Sequence, residues 1–299
     1  EKPWWEQFRV INDKHPKQKE IYDDPHQFKC IAAGIGFGKT VTVIESCLKV
    51  SLNSTLNGAK AWIVAPVTSA VNEIYWYDLL NRIKYLGYNK LTGKQELLLK
   101  ASEKDKKIYV RNKAKGGNGF TEISLKSAEA PNTLIGTSLI FLGIDEMWKI
   151  PKKIWTQHLQ QRAFRGSAEV FIISTPNGHD HFYDIWRQGS QDEGGLRYNP
   201  KWKSWQCNTY DNHLYSFEYC QEQKKVLSDW EWRQQYEASF DEPKGRVYLG
   251  FNKQQNVSKT KLILNPNLPL YITFDFNVDP MTSTIAQIIT PSTEYLNLR

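Results

Sequence analysis

The sequence predicts an α/β fold around a central parallel sheet. Continuous apolar runs alternate along the chain with helix-like stretches, and a glycine-rich turn joins the first run directly to the first helix. The apolar runs lie at residues 28–33, 60–66, 139–144 and 170–174, and the helix-like stretches at 40–50, 69–86 and 152–165. Because each run is long enough for a buried strand, this alternation is typical of parallel strands joined by crossover helices.

The composition is that of a globular protein, with 40% hydrophobic and 24% charged side chains among 299 residues. No apolar stretch approaches the roughly 18 residues of a membrane span, and no basic segment followed by an apolar one opens the sequence. We therefore expect neither a membrane protein nor an exported one. Four scattered cysteines without a C-x-x-C pair predict no disulfide framework and no zinc ribbon. The net charge of +7 has the sign expected for a partner that is a polyanion.

Changes in amino-acid composition along the chain predict four parts. A core is followed by an aromatic and polar subdomain with one helix at 216–236, then by a polar linker, and then by a strand that opens a second, incomplete domain. Within the subdomain, residues 201–205 alternate like a strand whose two tryptophans belong to a core. The predicted parts are residues 1–190, 191–249, 250–269 and 270–299.

A basic hairpin interrupts the core. Short strands at 108–110 and 121–125 flank a glycine-rich turn, and residues 100–115 carry seven basic side chains against two acidic ones. Lysines at such a tip, above all Lys113 and Lys115, can follow DNA phosphates without reading bases. The alternative is a solvated, mobile hairpin.

The glycine-rich turn has the pattern and the position of a phosphate-binding loop. In such a loop small residues let backbone N–H groups surround the phosphates, and the helix N-terminus adds its dipole. Lys39 would reach the β- and γ-phosphates, and the Thr40 hydroxyl would bind Mg²⁺. The loop comprises Ala33, Gly34, Ile35, Gly36, Phe37, Gly38, Lys39 and Thr40.

Two acids follow the apolar run at 139–144. The carboxyl ends of parallel strands meet at one edge of a sheet, so Asp145 and Glu146 should lie near the phosphate-binding loop. Asp145 would then bind Mg²⁺, and Glu146 would be the general base that activates water. A charge pair at a helix N-terminus is the alternative for such acids.

Further polar side chains occur at expected positions around this site. Ser174 and Thr175 end the run at 170–174, where their hydroxyls can sense the γ-phosphate or simply cap a loop. Gln18 lies upstream of the first strand, and its amide can donate to and accept from adenine; a surface glutamine is the alternative.

Taken in order, these motifs resemble those of the large terminase subunit of tailed bacteriophages, the motor that pumps DNA into the procapsid. Gln18 resembles its adenine motif, residues 33–40 its Walker A motif, residues 144–146 its Walker B motif, and residues 174–176 its coupling motif. Residues 232–240 and 245–248 resemble the segment that precedes the nuclease domain, and residues 274–280 resemble its opening strand.

The resemblance implies a Walker-type (ASCE, P-loop) ATPase with a small following subdomain and the start of an RNase H-like nuclease domain. ATP and Mg²⁺ would drive double-stranded DNA into the procapsid, and Asp275 would be the first nuclease carboxylate, with Mg²⁺ or Mn²⁺. An Asp that merely closes a strand is the alternative. The implied partners are the portal protein, the small terminase subunit and further copies in a homo-oligomeric ring, all in the host cytoplasm.

Two departures from the family pattern concern arginine. Terminases often carry one arginine in the Walker A loop and another ahead of the Walker B strand, where this sequence has Ile35 and Ile135. Arg162 and Arg165 are the nearest substitutes for an arginine finger, although either could solvate a helix face.

Two alternatives to a packaging motor remain open. A superfamily 2 helicase fits residues 33–40 well, but would continue into a second ATPase-like domain. A nucleotide-binding scaffold without turnover is disfavoured by the complete set of Lys39, Asp145 and Glu146.

Overall fold

An eight-stranded sheet forms the centre of the first of two units. The computed structural model describes residues 15–89, 92–164, 167–190, 199–212, 215, 217–241, 263–275 and 282–288. The units are Glu1–Glu242 and Pro243–Arg299. The sheet strands of the first unit are β1 Phe28–Ala33, β2 Ala59–Ala65, β5 Leu98–Ser102, β6 Lys107–Asn112, β7 Gly119–Ser127, β8 Phe141–Asp145, β9 Glu169–Ser174 and β10 Trp202–Cys207, while β3 Tyr88–Asn89 and β4 Lys94–Gln95 pair separately.

The helices lie between these strands. They are α1 Pro16–Asp23, α2 Lys39–Asn53, α3 Thr68–Ala70, α4 Trp76–Gly87, α5 Ala114–Gly117, α6 Lys152–Ile154, α7 Gln160–Phe164, α8 His181–Trp186, α9 Phe217–Val226 and α10 Asp229–Tyr236. A π-helical turn, Val71–Tyr75, joins α3 to α4, and another, Trp155–Leu159, joins α6 to α7. The predicted helices at 69–86 and 152–165 are therefore each interrupted. Among the described residues, 3₁₀ turns lie at Pro131–Leu134, Met147–Lys149 and Thr209–Asp211.

The sheet order is β10-β1-β9-β8-β2-β7-β6-β5. The first six of these strands pair in parallel, and at the far edge β6 pairs antiparallel with both β7 and β5. All six residues of β1 are buried, because apolar layers cover both faces of the sheet. Ile31 packs in the layer that includes α2 and α4, whereas Cys30 packs in the layer that includes α8. The α/β prediction with a central parallel sheet is confirmed.

The predicted boundary at residue 190 differs from the observed division. β10 pairs in parallel with β1, with Phe28 opposite Trp202, so residues 202–207 belong to the central sheet and the first unit runs to Glu242. The tryptophans of β10 are buried, as predicted. The helix predicted at 216–236 is divided into α9 and α10, since Ser228 caps α10 by accepting a hydrogen bond from the Glu231 backbone N–H.

The second unit contains one described ladder. β11 Tyr271–Asp275 pairs antiparallel with β12 Thr282–Ala286, which places Asp275 opposite Thr282. A strand is thus present at the start of the predicted part 270–299. Most of the predicted linker, up to residue 262, lies outside the described residues.

Candidate active site

The phosphate-binding loop connects β1 to α2, as predicted. Gly36 and Gly38 have φ angles of 75° and 94°, in the left-handed region that side chains disfavour, so glycine permits the tight curl of the loop. Lys39 Nζ lies over the loop and donates to Ala33 O at 3.3 Å and to Gly34 O at 3.2 Å. Burial lowers the pKa of Lys39, and the negative charges of Glu146 and Asp145 oppose that shift.

Residues from the segment after β10 hold the outer part of this loop. Thr209 Oγ1 donates to Ile35 O at 2.6 Å, and Asn212 Nδ2 donates to Gly36 O at 2.7 Å. The Ile35 backbone N–H donates to Gln235 O at 2.7 Å. These hydrogen bonds fix a loop in which three of eight residues are glycine. Sequence reasoning missed these partners, since they lie more than 170 residues away along the chain.

The two predicted acids emerge at the carboxyl end of β8, beside the loop. Asp145 is the last residue of the strand, and Glu146 turns the chain with φ 47° and ψ 52°. Asp145 Oδ1 accepts from the Glu146 backbone N–H at 2.9 Å. Burial raises the pKa of Asp145 to about 6; the charge of Glu146 acts in the same direction, and a hydrogen bond from Tyr75 acts against it.

Tyr75 contacts one predicted metal ligand and is influenced by the other. Its Oη donates to Asp145 Oδ2 at 2.7 Å, and the Thr40 hydroxyl lowers the pKa of the same phenol, against the larger effect of burial. Burial and the neighbouring carboxylate raise the pKa of Tyr75 well above its ordinary value, so the phenol keeps its proton. Tyr75 ends a π-helical turn, a feature found often at functional sites. No motif in the sequence pointed to this residue.

The predicted catalytic side chains face one cavity of about 620 Å³. Two lysines, Lys39 and Lys149, and three acids, Glu129, Asp145 and Glu146, supply its charged groups. The remaining lining residues are Thr40, Pro66, Val67, Ala70, Ile74, Ala128 and Pro151. The cavity therefore combines a phosphate-binding loop, a hydroxyl, a metal-binding type of carboxylate and a second carboxylate, the set that phosphoryl transfer to water needs.

The hydroxyls at the end of β9 reach this site. Thr175 Oγ1 accepts from Lys39 Nζ at 2.9 Å, so the predicted coupling residue contacts the loop lysine directly. Ser174 Oγ accepts from the Trp148 backbone N–H at 3.3 Å. Beyond them, Gln234 Nε2 donates to Pro176 O at 2.9 Å. Helix α10 thus contacts both the phosphate-binding loop and the turn after β9.

Gln18 lies in α1 and contacts the loop from the other side. Its Nε2 donates to Phe37 O at 3.3 Å, to Gly38 O at 3.2 Å and to Thr42 Oγ1 at 3.0 Å. The amide nitrogen is therefore engaged by protein oxygens, which leaves the amide oxygen for any base. A cavity of about 550 Å³ borders it, lined by Gln18, Val41, Thr42, Ile44, Glu45, Asp78, Asn81, Arg82 and Tyr85. The adenine contact stays a prediction.

The candidate arginine fingers have different positions. Arg162 in α7 is only 9% exposed, so its guanidinium as placed cannot extend to a neighbouring subunit. Arg165 lies outside the described residues. Ile35 and Ile135, which occupy the family's arginine positions, are 45% and 54% exposed.

The basic segment at 100–115 is not one hairpin. β5 and β6 form one hairpin, and β6 and β7 form another, so Lys106 and Lys113 lie at opposite ends of β6. Lys107 pairs with Glu122 at 3.2 Å, which neutralises part of the local charge. Lys115 is exposed and Lys113 half-buried, both in the connection between β6 and β7. The predicted basic tip is present there.

Comparisons with known proteins identify the family. A family model described as terminase large subunit, T4likevirus-type, N-terminal, matches residues 30–255. The large terminase subunit of Thermus phage G20c is 24% identical over 208 residues, which cover 65% of this chain and 42% of that protein. The large terminase subunit of Escherichia phage T5 is 27% identical over 204 residues, 68% of this chain and 42% of that protein. The chain thus matches less than half the length of these relatives.

Solved structures show the same fold. The ATPase domain of the Thermus phage P74-26 large terminase superposes with a TM-score of 0.61 at 23% identity, over 75% of this chain and 92% of that one. The large terminase of the thermophilic bacteriophage D6E, in complex with ADP, gives 0.61 at 15% identity, over 91% and 64%. The family match favours the terminase prediction over the helicase alternative. In the part of the chain that the structure describes, no helix is long and apolar enough to span a membrane.

Proposed function

This chain belongs to the family of T4-like-virus-type terminase large subunits, and we propose that it hydrolyses ATP to drive double-stranded DNA into a viral procapsid. The observation that carries the proposal is the shared cavity at the carboxyl edge of the sheet, in which Lys39, Thr40, Asp145 and Glu146 meet. Ligands of open parallel sheets bind at this edge.

The loop and its lysine would bind the triphosphate. The N–H groups at the start of α2 point toward the cavity end of the helix, where the helix dipole favours anions. Lys39 Nζ, which now donates to its own loop and to Thr175, would transfer its hydrogen bonds to the β- and γ-phosphates. Thr175 would then report on the presence of the γ-phosphate, since the two share Lys39.

Thr40 and Asp145 fit a magnesium site. Both line the same cavity, and hydroxyl and carboxylate oxygens are ligands that Mg²⁺ accepts. The ion would neutralise phosphate charge when bound. The hydrogen bond from the Tyr75 phenol would orient the Asp145 carboxylate.

Glu146 would act as the general base. Its carboxylate would accept a proton from the attacking water, while Lys39 stabilises charge on the phosphate oxygens. Glu129 lines the same cavity, but its Oε2 accepts from the Thr68 backbone N–H and hydroxyl, each at 2.8 Å. Glu129 is thus held by Thr68, whereas Glu146 directly follows the proposed metal ligand Asp145, so we assign the base to Glu146 and use Glu129 as a matched control.

The motor would work on DNA as a homo-oligomeric ring in the host cytoplasm, with the portal protein and the small terminase subunit as partners. The net charge of +7 and the exposed Lys115 support contact with DNA, which we assign to Lys113 and Lys115. Arg165 is the finger we propose to act on a neighbour's ATP. A mixture of Glu146→Gln and Arg165→Ala proteins should then recover turnover under conditions of assembly.

Asp275 would belong to a C-terminal RNase H-like endonuclease that cuts concatemeric DNA. It ends β11 in the second unit, as an opening nuclease strand requires, and several shared acids would hold the two ions of such a site, Mg²⁺ or Mn²⁺. A longer chain with the complete domain should nick plasmid in Mn²⁺ and lose this activity on Asp275→Ala. Robust metal-dependent cutting by these 299 residues alone would contradict the assignment.

Single-turnover hydrolysis with protein in excess tests the ATPase. We expect Glu146→Gln to bind ATP but hydrolyse it at least about a hundredfold more slowly, and Lys39→Ala to weaken binding itself. Glu129→Gln should retain most of the rate. Unchanged hydrolysis in Glu146→Gln would refute the catalytic assignment.

A further inference from the structure

Trp148 lies directly between Glu146 and the end of β9. Its indole Nε1–H donates to Glu146 Oε2 at 3.0 Å, and its backbone N–H donates to Ser174 Oγ at 3.3 Å. Ser174 Oγ in turn donates to Thr175 O at 3.1 Å. One residue therefore contacts both the proposed base and the strand end whose next residue, Thr175, holds Lys39.

The turn that carries Trp148 is fixed on several sides. Met147 and Ile150 are fully buried, and the Lys149 backbone N–H donates to Glu146 O at 2.9 Å. The ring of His181 contacts Met147 O through Nε2 at 3.2 Å. Because the backbone is anchored in this way, the indole presents its N–H from a defined position rather than from a mobile loop.

A carboxylate that acts as a base must present one oxygen to water in a fixed direction. Glu146 has a left-handed backbone conformation that begins the turn, and its side chain would otherwise be free to rotate. A hydrogen bond from a neutral donor to one carboxylate oxygen removes that freedom and leaves the other oxygen available. The indole N–H is suited to this task because it is a donor only and cannot take the proton itself.

We propose that Trp148 is the positioning residue of Glu146: its indole N–H holds Oε2, so that Oε1 is directed at the attacking water. The hydrogen bond that the Trp148 backbone N–H donates to Ser174 Oγ fixes the turn and thereby connects the γ-phosphate-sensing strand end to the base. This inference rests on the proposed ATPase function and goes beyond it, since neither the Walker motifs nor the family pattern used above assigns Trp148 a role.

The test removes the N–H and keeps the ring. In Trp148→Phe, and in a variant whose residue 148 carries the indole isostere with sulfur in place of N–H, single-turnover hydrolysis should fall by about 10- to 100-fold. Affinity for ATP should change by less than about threefold, because the indole N–H donates to Glu146, the proposed base, and the ring that Lys149 Nζ lies over is retained. Trp186→Phe is the matched control, since it loses an indole hydrogen bond of 2.9 Å to Trp205 O away from the cavity.

The outcomes separate this inference from the proposed function. If Glu146→Gln abolishes hydrolysis while both Trp148 variants match the unmodified chain or exceed it, the positioning role is refuted and the ATPase stands. A rate loss accompanied by an equal loss of ATP affinity would also refute it, since that pattern reports a disturbed fold. If Glu146→Gln hydrolyses ATP normally, the proposed base and its positioning residue are both refuted. If Trp148→Phe does not fold, the hydrolysis rate of the sulfur-isostere variant alone tests the positioning role.

Discussion

Thr209→Val should loosen the phosphate-binding loop without changing the shape of any side chain. Thr209 is buried, and its Oγ1 donates at 2.6 Å to the carbonyl oxygen of Ile35, inside the loop. Valine has nearly the same volume, so the substitution removes this donor and puts a methyl group in its place, which cannot stay 2.6 Å from the carbonyl oxygen. The Ile35 carbonyl then has to find water or shift.

The size of the effect follows from the hydrogen bond. A buried acceptor left without a partner costs about 1–3 kcal/mol. If the loop relaxes in the free protein and must be ordered again to bind, the cost appears in affinity, and Kd for ATP rises by about 5- to 150-fold. If the loop stays in place, the cost appears in stability, and the melting temperature falls by about 2–4 °C for each kcal/mol in a unit of this size.

Both quantities should be measured on the same protein. Titration with a fluorescent ATP analogue gives Kd, and thermal unfolding gives the melting temperature. Thr156→Val is a suitable control, because its hydroxyl donates to Lys152 O at 3.2 Å on the exposed side of its helix. That variant should leave both values nearly unchanged, since water replaces the lost partner.

Equal behaviour of Thr209→Val and Thr156→Val in both measurements would contradict this prediction. Such a result would mean that the loop is held by its own glycine-rich backbone and by Lys39, and that the segment after β10 merely lies against it.

Three further predictions concern other parts of the chain. Replacing Lys113 and Lys115 with Ala should reduce the slope of log K for DNA binding against log salt concentration by up to about two units. An unchanged slope would mean that these two lysines are solvated and do not bind DNA. Burial raises the pKa of Asp145 to about 6, so the fold without nucleotide favours the neutral carboxyl. The neutral carboxyl contributes at most about 3 kcal/mol to the free energy of unfolding. This contribution is complete below about pH 4 and is lost as the pH rises through about 6. Urea unfolding between pH 4 and 7.5 should show it, and Asp145→Asn should lack it; equal pH dependence in both proteins would contradict it. Trp202→Ala should cost about 3–5 kcal/mol, since the buried ring stacks on Phe28 with centroids 4.5 Å apart; denaturant unfolding measures this, and a loss below about 1 kcal/mol would show that β10 contributes little.

The positions of the chemical groups could be predicted from the sequence because each depends on a short stretch. A buried strand followed by glycines and a lysine places the loop, and the parallel arrangement places Asp145 and Glu146 on the same edge. Ser174 and Thr175 follow from the same rule. The strand-end position of each residue was enough, and no long-range information was needed.

The residues that hold the site in place could not be predicted in this way. Thr209 and Gln235 reach the loop only because β10 crosses to the strand beside β1, and no local pattern reports which strands become neighbours. Tyr75 ends a π-helical turn and Arg162 follows one. A prediction that assumes 3.6 residues per turn therefore puts both side chains on the wrong face of the helix. Trp148 comes two residues after Glu146, but no pattern distinguishes it from the other tryptophans of a chain that has eleven.

The pairing of β10 with β1 determines how short a working fragment of this protein can be. A fragment that stopped at residue 190 would contain every residue of the Walker motifs, yet it would leave β1 as an outer strand with a row of unpaired backbone groups. All six side chains of β1 are buried in the intact unit, so this new edge would be apolar as well as unpaired, a combination that recruits other chains into aggregates. Expression trials should therefore extend through Glu242, where the first unit ends.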